Sequence, residues 1–273
     1  MNTIIARRLV DWRSSTMWGF ALLHIIALAG LVLAVTGALD VTAGDWLLAG
    51  TLFYGRAFFV AIGYHRYFAH RTFEFQLWCR RAARFLLAVA SNTANQGGVI
   101  WWTETHMDHH RFSDQEGDHH SPVTSGFWWS HVGWLVGTQK EPVSKAIHLR
   151  RAPELVWLER LHWLPGLLLA AVCLWYGGLS GLLVGYFVSS VALLHATFTI
   201  NSVAHLIGPQ RYQTGDQSRN CWVLLPIAVG EQWHNNHHNR QARTRQGERW
   251  WEIDLAYYLL WGLEKVGLLS RLN

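Results

Sequence analysis

Residues 46–70 read WLLAGTLFYGRAFFVAIGYHRYFAH, a stretch that is long and apolar enough to cross a bilayer and that ends on His65 and His70. A second such stretch covers residues 17–37. The turn between them, ALDVTAGD, carries no Lys or Arg, whereas arginines flank the pair on both outer sides. Because basic residues stay on the cytoplasmic side, this asymmetry predicts a hairpin of two spans, 17–37 and 46–64, with the N-terminus and His65 in the cytoplasm.

A second hairpin is predicted between residues 162 and 206, where an apolar stretch is broken once, at YGGLSG. The break gives spans of 162–177 and 181–206, and the second span also ends on the cytoplasmic side, near His205. The predicted fold class is an all-α integral membrane protein with four transmembrane helices in two hairpins. Residues 65–161 and 207–273 are expected to form a cytosolic helical cap over a two-metal site, and residues 1–273 to form a single domain.

The stretch from Phe85 to Trp102 tests this scheme, because a fifth span would separate the histidines onto opposite faces. Its centre reads SNTANQGG, which is polar and rich in glycine. Unpaired polar groups are costly in lipid, so we predict an interfacial or protein-buried helix here.

The composition excludes several classes of protein. The chain is 51% hydrophobic with 17 Trp, and its net charge of +5 comes with arginines beside apolar stretches. We interpret this charge as membrane topology and expect no nucleic-acid partner. Three cysteines without a CxxC pair argue against disulfides, cysteine-ligated zinc and a built-in iron–sulfur cluster. We expect no cleaved signal peptide, because the first apolar stretch is too long for one.

The chain holds three histidine clusters, HRYFAH, HMDHH and HNNHH, and a separate histidine in NSVAH. Neutral imidazole suits iron, copper and zinc, and residues three and four apart share a helix face. Each HxxHH group should therefore point three nitrogens in one direction. Nine nitrogens exceed the three or four that zinc uses and suit two metals. The predicted ligands are His65, His70, His106, His109, His110, His205, His234, His237 and His238.

Other polar residues have weaker signals. His24, His148, His162 and His195 belong to no cluster, so we expect them to be ordinary hydrogen-bonded residues. Four carboxylates lie within or beside the clusters and could accept the free ring N–H of a metal-bound histidine. They are Asp108, Glu231, Asp114 and Glu104, and of these Asp108 and Glu231 are the stronger candidates.

The motifs HRYFAH, HMDHHRFSD, GFWWSHVGWLVG, NSVAHLIG and GEQWHNNHH, in this order, resemble those of the membrane-bound fatty acid desaturases. The resemblance covers residues 45–262 and is strongest to the Δ9, stearoyl-CoA-type enzymes and their bacterial relatives. It implies oxygen-dependent desaturation of a long-chain acyl group by two irons held by the nine histidines, in a bacterial inner membrane. It also implies that Asn201 holds a metal through water, and that the acyl tunnel is lined by Gln96, Trp102, Thr197 and Phe198. Zinc could replace iron during overexpression.

The chain departs from the animal acyl-CoA enzymes where those enzymes carry basic residues that meet CoA phosphates. Met107, Thr138 and Gln139 stand at these positions. The cations that follow could compensate: Lys140, Lys145, Arg150 and Arg151. A CoA, lipid or acyl-carrier-protein substrate therefore stays open. We expect Tyr54 and Phe59, which precede His65 on the second span, to close the far end of the tunnel.

The reaction needs two electrons from outside, since the sequence has no flavin, dinucleotide or haem signature. We predict a separate ferredoxin, rubredoxin or cytochrome as donor, with Arg240, Arg243 and Arg245 either steering it or contacting lipid headgroups. Two alternatives stay open. One is a fatty acyl hydroxylase or acetylenase with the same two irons. The other is a non-catalytic membrane metal-binding protein, which would hold exchangeable zinc or copper instead of two irons.

Overall fold

The computed structural model describes residues 10–138 and 141–273; Arg7, Arg8, Gln139 and Lys140 lie outside this part. Thirteen α-helices and two short strands form within it, together with π- and 3-10-helical stretches. The helices are α1 Ser15–Val35, α2 Ala43–Phe59, α3 Arg80–Asn92, α4 Val99–Phe112, α5 Pro122–Ser125, α6 Trp134–Val136, α7 Ile147–Arg150, α8 Pro153–Arg160, α9 Leu164–Ser180, α10 Ser189–Ser202, α11 Leu225–Ala228, α12 His234–Asn239 and α13 Leu255–Lys265. The strands are β1 Phe73–Phe75 and β2 Leu269–Leu272, paired antiparallel. The π-helices are Val60–Ala69, Trp129–Gly133 and Gly181–Val188, and the 3-10 turns are Val203–His205 and Trp222–Leu224.

Three helical stretches of the described chain are long and apolar enough to cross a membrane: Ser15–Val35, Ala43–Ala69 and Leu164–His205. The third has 42 residues, about twice the length that one bilayer crossing requires. It breaks at Gly178, whose φ of 61° and ψ of −151° suit a residue without a Cβ. The chain reverses there, and Gly181 lies so close to the carbonyl of Cys173 that a Cβ on it would be only 2.7 Å away.

The two hairpin turns meet on one side of the bundle. Thr42 and Asp45 form a capping box at the start of α2, with each side chain accepting a hydrogen bond from the other residue's backbone N–H. Ser180, beside the Gly178 break, donates a hydrogen bond of 2.9 Å to Asp45. The carboxylate of Asp45 thus ties the first hairpin to the second.

The stretch from Phe85 to Trp102 is two helices, not one. α3 ends at Asn92, the chain turns through residues 93–98, and α4 returns from Val99. The polar groups of the turn are satisfied inside the protein, as a turn packed among membrane-length helices requires. Arg56 of α2 donates to the carbonyl of Thr93, the hydroxyl of Tyr64 donates to the carbonyl of Gly97 at 2.6 Å, and Asn95 donates to the hydroxyl of Tyr186 at 3.0 Å.

Arg56 is buried, at 2% exposure, among neutral partners. It donates hydrogen bonds to the hydroxyls of Ser189 and Ser190 at 2.6 and 2.7 Å and to the carbonyl of Leu52 at 2.9 Å. It also lies at the C-terminal end of α3, where the helix dipole favours a cation. A buried guanidinium therefore joins α2, α3 and α10.

Glu159 of α8 fixes the start of α4, the helix that carries HMDHH. Its carboxylate accepts hydrogen bonds from the backbone N–H groups of Ile100 and Trp101 at 2.8 and 2.9 Å. These two groups have no partner within the helix, and a carboxylate at a helix N-terminus is also favoured by the helix dipole. A Cβ on Gly98 would lie 2.2 Å from Glu159, so only glycine fits between them.

Candidate metal centre and acyl cavity

His65 and His70 are brought together by a change of helix type. Five residues on an α-helix are about 140° apart, so His65 and His70 would point to different sides. Val60–Ala69 is a π-helix, in which residues five apart stack, and the N–H of His70 bonds the carbonyl of His65 at 3.0 Å. Their ring centroids lie 4.7 Å apart.

The prediction that each HxxHH cluster points its three nitrogens in one direction is wrong for both clusters, on α4 and on α12. Successive residues differ by about 100° around a helix, so His109 and His110 diverge. Each cluster contributes histidines to two neighbouring groups. Within each group, the ligand atoms lie within 4.8 Å of one another. The first group is His65, His70, His106, His110 and His237, and the second is His109, His205, His234 and His238.

The contacts within the first group cannot all be hydrogen bonds. The Nε2 of His237 lies 3.0 Å from that of His65 and 3.1 Å from that of His110. The Nε2 of His106 lies 2.8 Å from that of His70 and 3.0 Å from that of His110. Each imidazole nitrogen offers one proton or one lone pair in a single direction, so it cannot form good hydrogen bonds with two neighbours at once. Two nitrogens bound at right angles, each about 2.1 Å from one metal, would be about 3.0 Å apart. This donor set therefore fits a metal.

The second group fits a metal for a related reason. The Nε2 of His238 is buried and has no hydrogen-bond partner among the described residues. Its Nδ1 donates to Asp216 at 2.7 Å, so Nε2 carries a lone pair. His205 and His234 approach each other at 3.0 Å through their Nε2 atoms. The two groups together fit a two-metal site of nitrogen ligands.

Four carboxylates fix the tautomers of four of these histidines. Glu231 accepts from the Nδ1 of His65, Asp114 from that of His205 at 2.8 Å, and Asp118 from that of His109 at 3.1 Å. Asp216 does the same for His238. Because Nδ1 carries the proton in each pair, Nε2 is left free to bind a metal.

Glu231 is itself held by a cation. Arg66, beside His65 in HRYFAH, is fully buried and pairs with Glu231 and with Asp254, the latter at 3.1 Å. Burial alone would raise the pKa of Glu231, but His65 and Arg66 outweigh it and lower this pKa to about 2. The carboxylate is therefore ionised at neutral pH. By contrast, burial and the neighbouring histidines hold the pKa of four ligand histidines well below the usual range: His106, His110, His234 and His237. These rings therefore stay neutral, and each keeps a lone pair available for a metal.

Asp108 does not have the role that we predicted. It accepts hydrogen bonds from the backbone N–H groups of Val143 and Ser144 at 2.7 and 2.8 Å and from His119 at 3.2 Å. Asp108 points away from the histidine groups because it lies 100° around α4 from His109. Glu104 also has another role, because it pairs with Arg150 and Lys145. Asp118 and Asp216 were missed, since only the fold brings them to the histidines.

A cavity runs from the two histidine groups into the bundle. It is lined at one end by His65, His106, His109 and His234, and further on by small and branched apolar side chains. Trp102 forms part of its wall and stacks on Tyr64, with ring centroids 5.2 Å apart. Thr197 and Asn201 of α10 also line it. Gln96, which we predicted to line the tunnel, is not among the lining residues; it donates a hydrogen bond of 2.8 Å to the hydroxyl of Thr197.

Three other residues predicted for the tunnel do not line the cavity either. Phe198, next to Thr197 on α10, turns away from the cavity and packs against Phe20, His131 and His195. Tyr54 and Phe59 are on the outer side of α2, with 45% and 37% exposure. Ala57 and Ala61 of the same helical stretch line the cavity instead, because they lie on its opposite face.

The unclustered histidines are hydrogen-bonded, as expected. His24 and His195 approach each other at 3.0 Å through their Nε2 atoms, and His195 contacts His131 at the same distance. His162 contacts the carbonyl of Glu159 at 2.9 Å.

Two of the three arginines proposed to steer an electron donor, Arg240 and Arg243, lie within 3.8 and 3.4 Å of Glu248. Their charge is thus partly compensated.

Membrane-length apolar helices and two buried histidine groups beside an apolar cavity define a class, that of helical membrane proteins with a histidine-rich site for two metals. Comparison with known families identifies the particular family within this class, because the fatty acid desaturase family model matches residues 41–268. The chain belongs to the fatty acid desaturase family and is an oxygen-dependent oxidoreductase of that family.

Relatives with established names differ in the acyl carrier that they use. An sn-1 stearoyl-lipid 9-desaturase of Anabaena variabilis is 34% identical over 78% of this chain and 78% of its own. A hex-5-enoyl-[acyl-carrier protein] acetylenase of Moorena producens is 36% identical over 77% of this chain and 70% of its own. An acyl-CoA 5-desaturase of Anemone leveillei is 34% identical over 94% of this chain and 79% of its own.

Proposed function

We propose that this enzyme desaturates a long-chain acyl group of a membrane lipid at the Δ9 position, using two irons, dioxygen and external electrons. The observation that carries the proposal is the juxtaposition of both histidine groups with the end of the cavity, where His65, His106, His109 and His234 line it. The nine histidines are the proposed iron ligands, and Asn201 would hold a metal through water.

The preference for a lipid over CoA is supported by Glu104. Its carboxylate binds Arg150 with hydrogen bonds of 2.5 and 2.6 Å and lies 3.8 Å from Lys145. Two of the cations that could compensate for Met107 and Thr138 are thus already paired. A CoA phosphate would have to displace a buried carboxylate from them.

The irons would supply the oxidising power by reducing dioxygen with two external electrons and two protons, while two hydrogens leave adjacent methylenes and two waters form. The chain holds the acyl group and excludes water. Trp102 offers a rigid wall, and the hydrogen bond from Gln96 fixes the hydroxyl of Thr197 opposite it. Glu231, Asp114, Asp118 and Asp216 hold the ring orientation of their histidines. An acyl chain confined in this way presents one pair of carbons to the site.

We further propose that four helices span the bilayer: α1, Ala43–Ala69, α9 and the stretch from Gly181 to His205. The C-terminus, the histidine groups and the cap would lie on the cytoplasmic side of a bacterial inner membrane. The electron donor would be a separate ferredoxin, rubredoxin or cytochrome that docks on this side.

Expression in a host without desaturases, followed by mass spectrometry of its total fatty acids, tests the proposal. We expect a product two mass units lighter with a cis double bond at Δ9, appearing first in the glycerolipid fraction. The variants His109→Ala and His237→Ala, one from each histidine group, should give none, whereas His24→Gln should stay active. Metal analysis of the purified protein should find two irons per chain. Unchanged fatty acids with the intact chain, or a product in both ligand variants, would contradict the proposal.

Acetylenation is a second candidate, favoured by the similarity to the Moorena producens acetylenase. The same expression test separates the alternatives, because an acetylenase removes four mass units in total and a hydroxylase adds sixteen, about the mass of one oxygen atom.

A further inference from the structure

A cationic cavity of about 500 Å³ opens on the far side of the first histidine group. It is lined by Arg71, Arg80, Arg84 and Arg271, together with His70 and His148. Its volume is within the range of small-molecule sites. The proposed desaturation does not use this cavity, because the acyl cavity lies on the side of His65 and Trp102.

The positive charge of this cavity is only partly neutralised. Arg80 pairs with Glu74 at 2.7 Å, and Arg84 pairs with Glu154. Neither Arg71 nor Arg271 has a carboxylate partner among the residues that the structure describes, and Arg271 donates only to the neutral side chain of Asn273. Burial, followed by the positive charges of Arg71 and Arg84, lowers the pKa of His148. The unpaired guanidiniums call for an anion with several oxygens.

The cavity lies where the bundle meets the cap. α3 starts at Arg80, and its other end lies beside Arg56 of α2 and Tyr186, inside the bundle. The first turn of α3 therefore lies nearer to the membrane surface, where the membrane stretch that begins with α2 ends. Immediately before it, Leu77 and Trp78 are 79% and 77% exposed. Exposed tryptophan and leucine beside arginines are typical of the membrane–water interface, where the apolar rings enter the lipid and the cations meet headgroups.

We propose that this cavity binds the headgroup phosphate of an anionic phospholipid, held mainly by Arg71 and Arg271. The lipid is distinct from the acyl substrate and anchors the cap to the membrane surface beside His70. Arg71 and Arg271 line the same cavity, and guanidiniums recognise phosphate with several parallel hydrogen bonds.

The test is a titration of the purified, detergent-solubilised enzyme with dioleoylphosphatidylglycerol, followed by native mass spectrometry. Dioleoylphosphatidylcholine provides the comparison without net charge. We expect tighter binding of phosphatidylglycerol, weakened about fivefold by Arg271→Gln and about 25-fold by Arg71→Gln combined with Arg271→Gln. Binding of phosphatidylcholine should not change. The matched control is Arg160→Gln with Arg249→Gln, which removes the same charge at two exposed arginines elsewhere on the cap. The thermal unfolding temperature of each variant checks that it folds.

Several results would overturn the proposal. Equal affinity for the two lipids would show that charge does not decide binding. Unchanged phosphatidylglycerol affinity in both cavity variants, with or without a loss of ferredoxin-supported turnover, would assign the arginines to something other than a lipid. Complete displacement by millimolar inorganic phosphate would indicate a site for a small anion instead of a membrane headgroup.

Discussion

Carboxylates that orient histidines and carboxylates that hold loops lie on the same helix-and-loop segment, and only their partners distinguish them. Asp118 binds the Nδ1 of His109, whereas Asp108 binds the backbone of Val143 and Ser144. We expect Asp118→Asn to lower metal affinity by about 10- to 100-fold, because it loosens the tautomer and ring orientation of His109. Asp108→Asn should leave the metal content intact and lower only the unfolding temperature. Metal analysis after dialysis against a chelator measures both, and equal metal loss would refute the distinction.

Trp102 is expected to decide which carbons reach the metals. Trp102→Ala should lower activity by at least about tenfold and give a mixture of double-bond positions, because it removes a rigid wall of the cavity. The metal content should stay the same. Trp250→Ala, at a tryptophan that is 84% exposed, is the control. Product analysis that finds wild-type rate and a single double-bond position in Trp102→Ala would remove Trp102 from the tunnel.

Glu252 gives the cap a dependence on pH. Burial would raise its pKa, but hydrogen bonds from Arg211 and from the backbone of Arg249 and Glu248 outweigh it, so the pKa is lowered. A lowered pKa in the folded state means that the carboxylate stabilises the fold above its unfolded pKa, about 4.5, and that this contribution is lost as the pH falls further. Unfolding temperatures between pH 3 and 7 should fall more steeply for the wild type than for Glu252→Gln. Glu116→Gln, at an exposed residue, should follow the wild type.

At the level of the elements, the contact between α4 and α8 is expected to tolerate no added atom. Gly98→Ala places a Cβ against Glu159, which must then release the N-terminus of α4. We expect a destabilisation of roughly 1–3 kcal/mol and a loss of activity, because α4 carries three of the nine histidines. Gly55→Ala has open space around its Cβ and serves as the control. Similar activity and unfolding temperature in the two variants would contradict this role of Glu159.

Helix periodicity predicts most of the elements but not the arrangement of the site. Apolar length and the break at YGGLSG were enough to locate the long helices, and the polar turn SNTANQGG indicated a buried segment. The π-helix at His65 and His70 could not be predicted, because it changes the residues per turn without a compositional signal. Asp216 is 22 residues from His238, and it meets His238 only through tertiary folding. The predictions that Phe198, Tyr54 and Phe59 line the tunnel were wrong, because these side chains lie on another helix face than the residues that line the cavity.

On the scale of the whole molecule, the four-span topology can be tested by cysteine labelling. Cys79, Cys173 and Cys221 are free and would first be replaced by serine. A single cysteine at Asp40 should react with an impermeant reagent from outside the cell, and one at Asn273 only after the membrane is opened. A cysteine at Ser91, which is fully buried, should not react from either side. Reaction of the Ser91 position from outside would mean that α3 crosses the bilayer.

Arg56 has a consequence for the biogenesis of the enzyme. An arginine near the middle of a membrane helix costs about 2.5–3.5 kcal/mol on insertion, so α2 is a poor span on its own. One of its hydroxyl partners, Ser190, lies 134 residues further along the chain. At about 5–20 residues per second, the ribosome needs roughly 7–27 s to make that partner. During this time the arginine is without Ser189 and Ser190, so we expect α2 to wait at the insertion machinery and to enter the lipid together with the second hairpin.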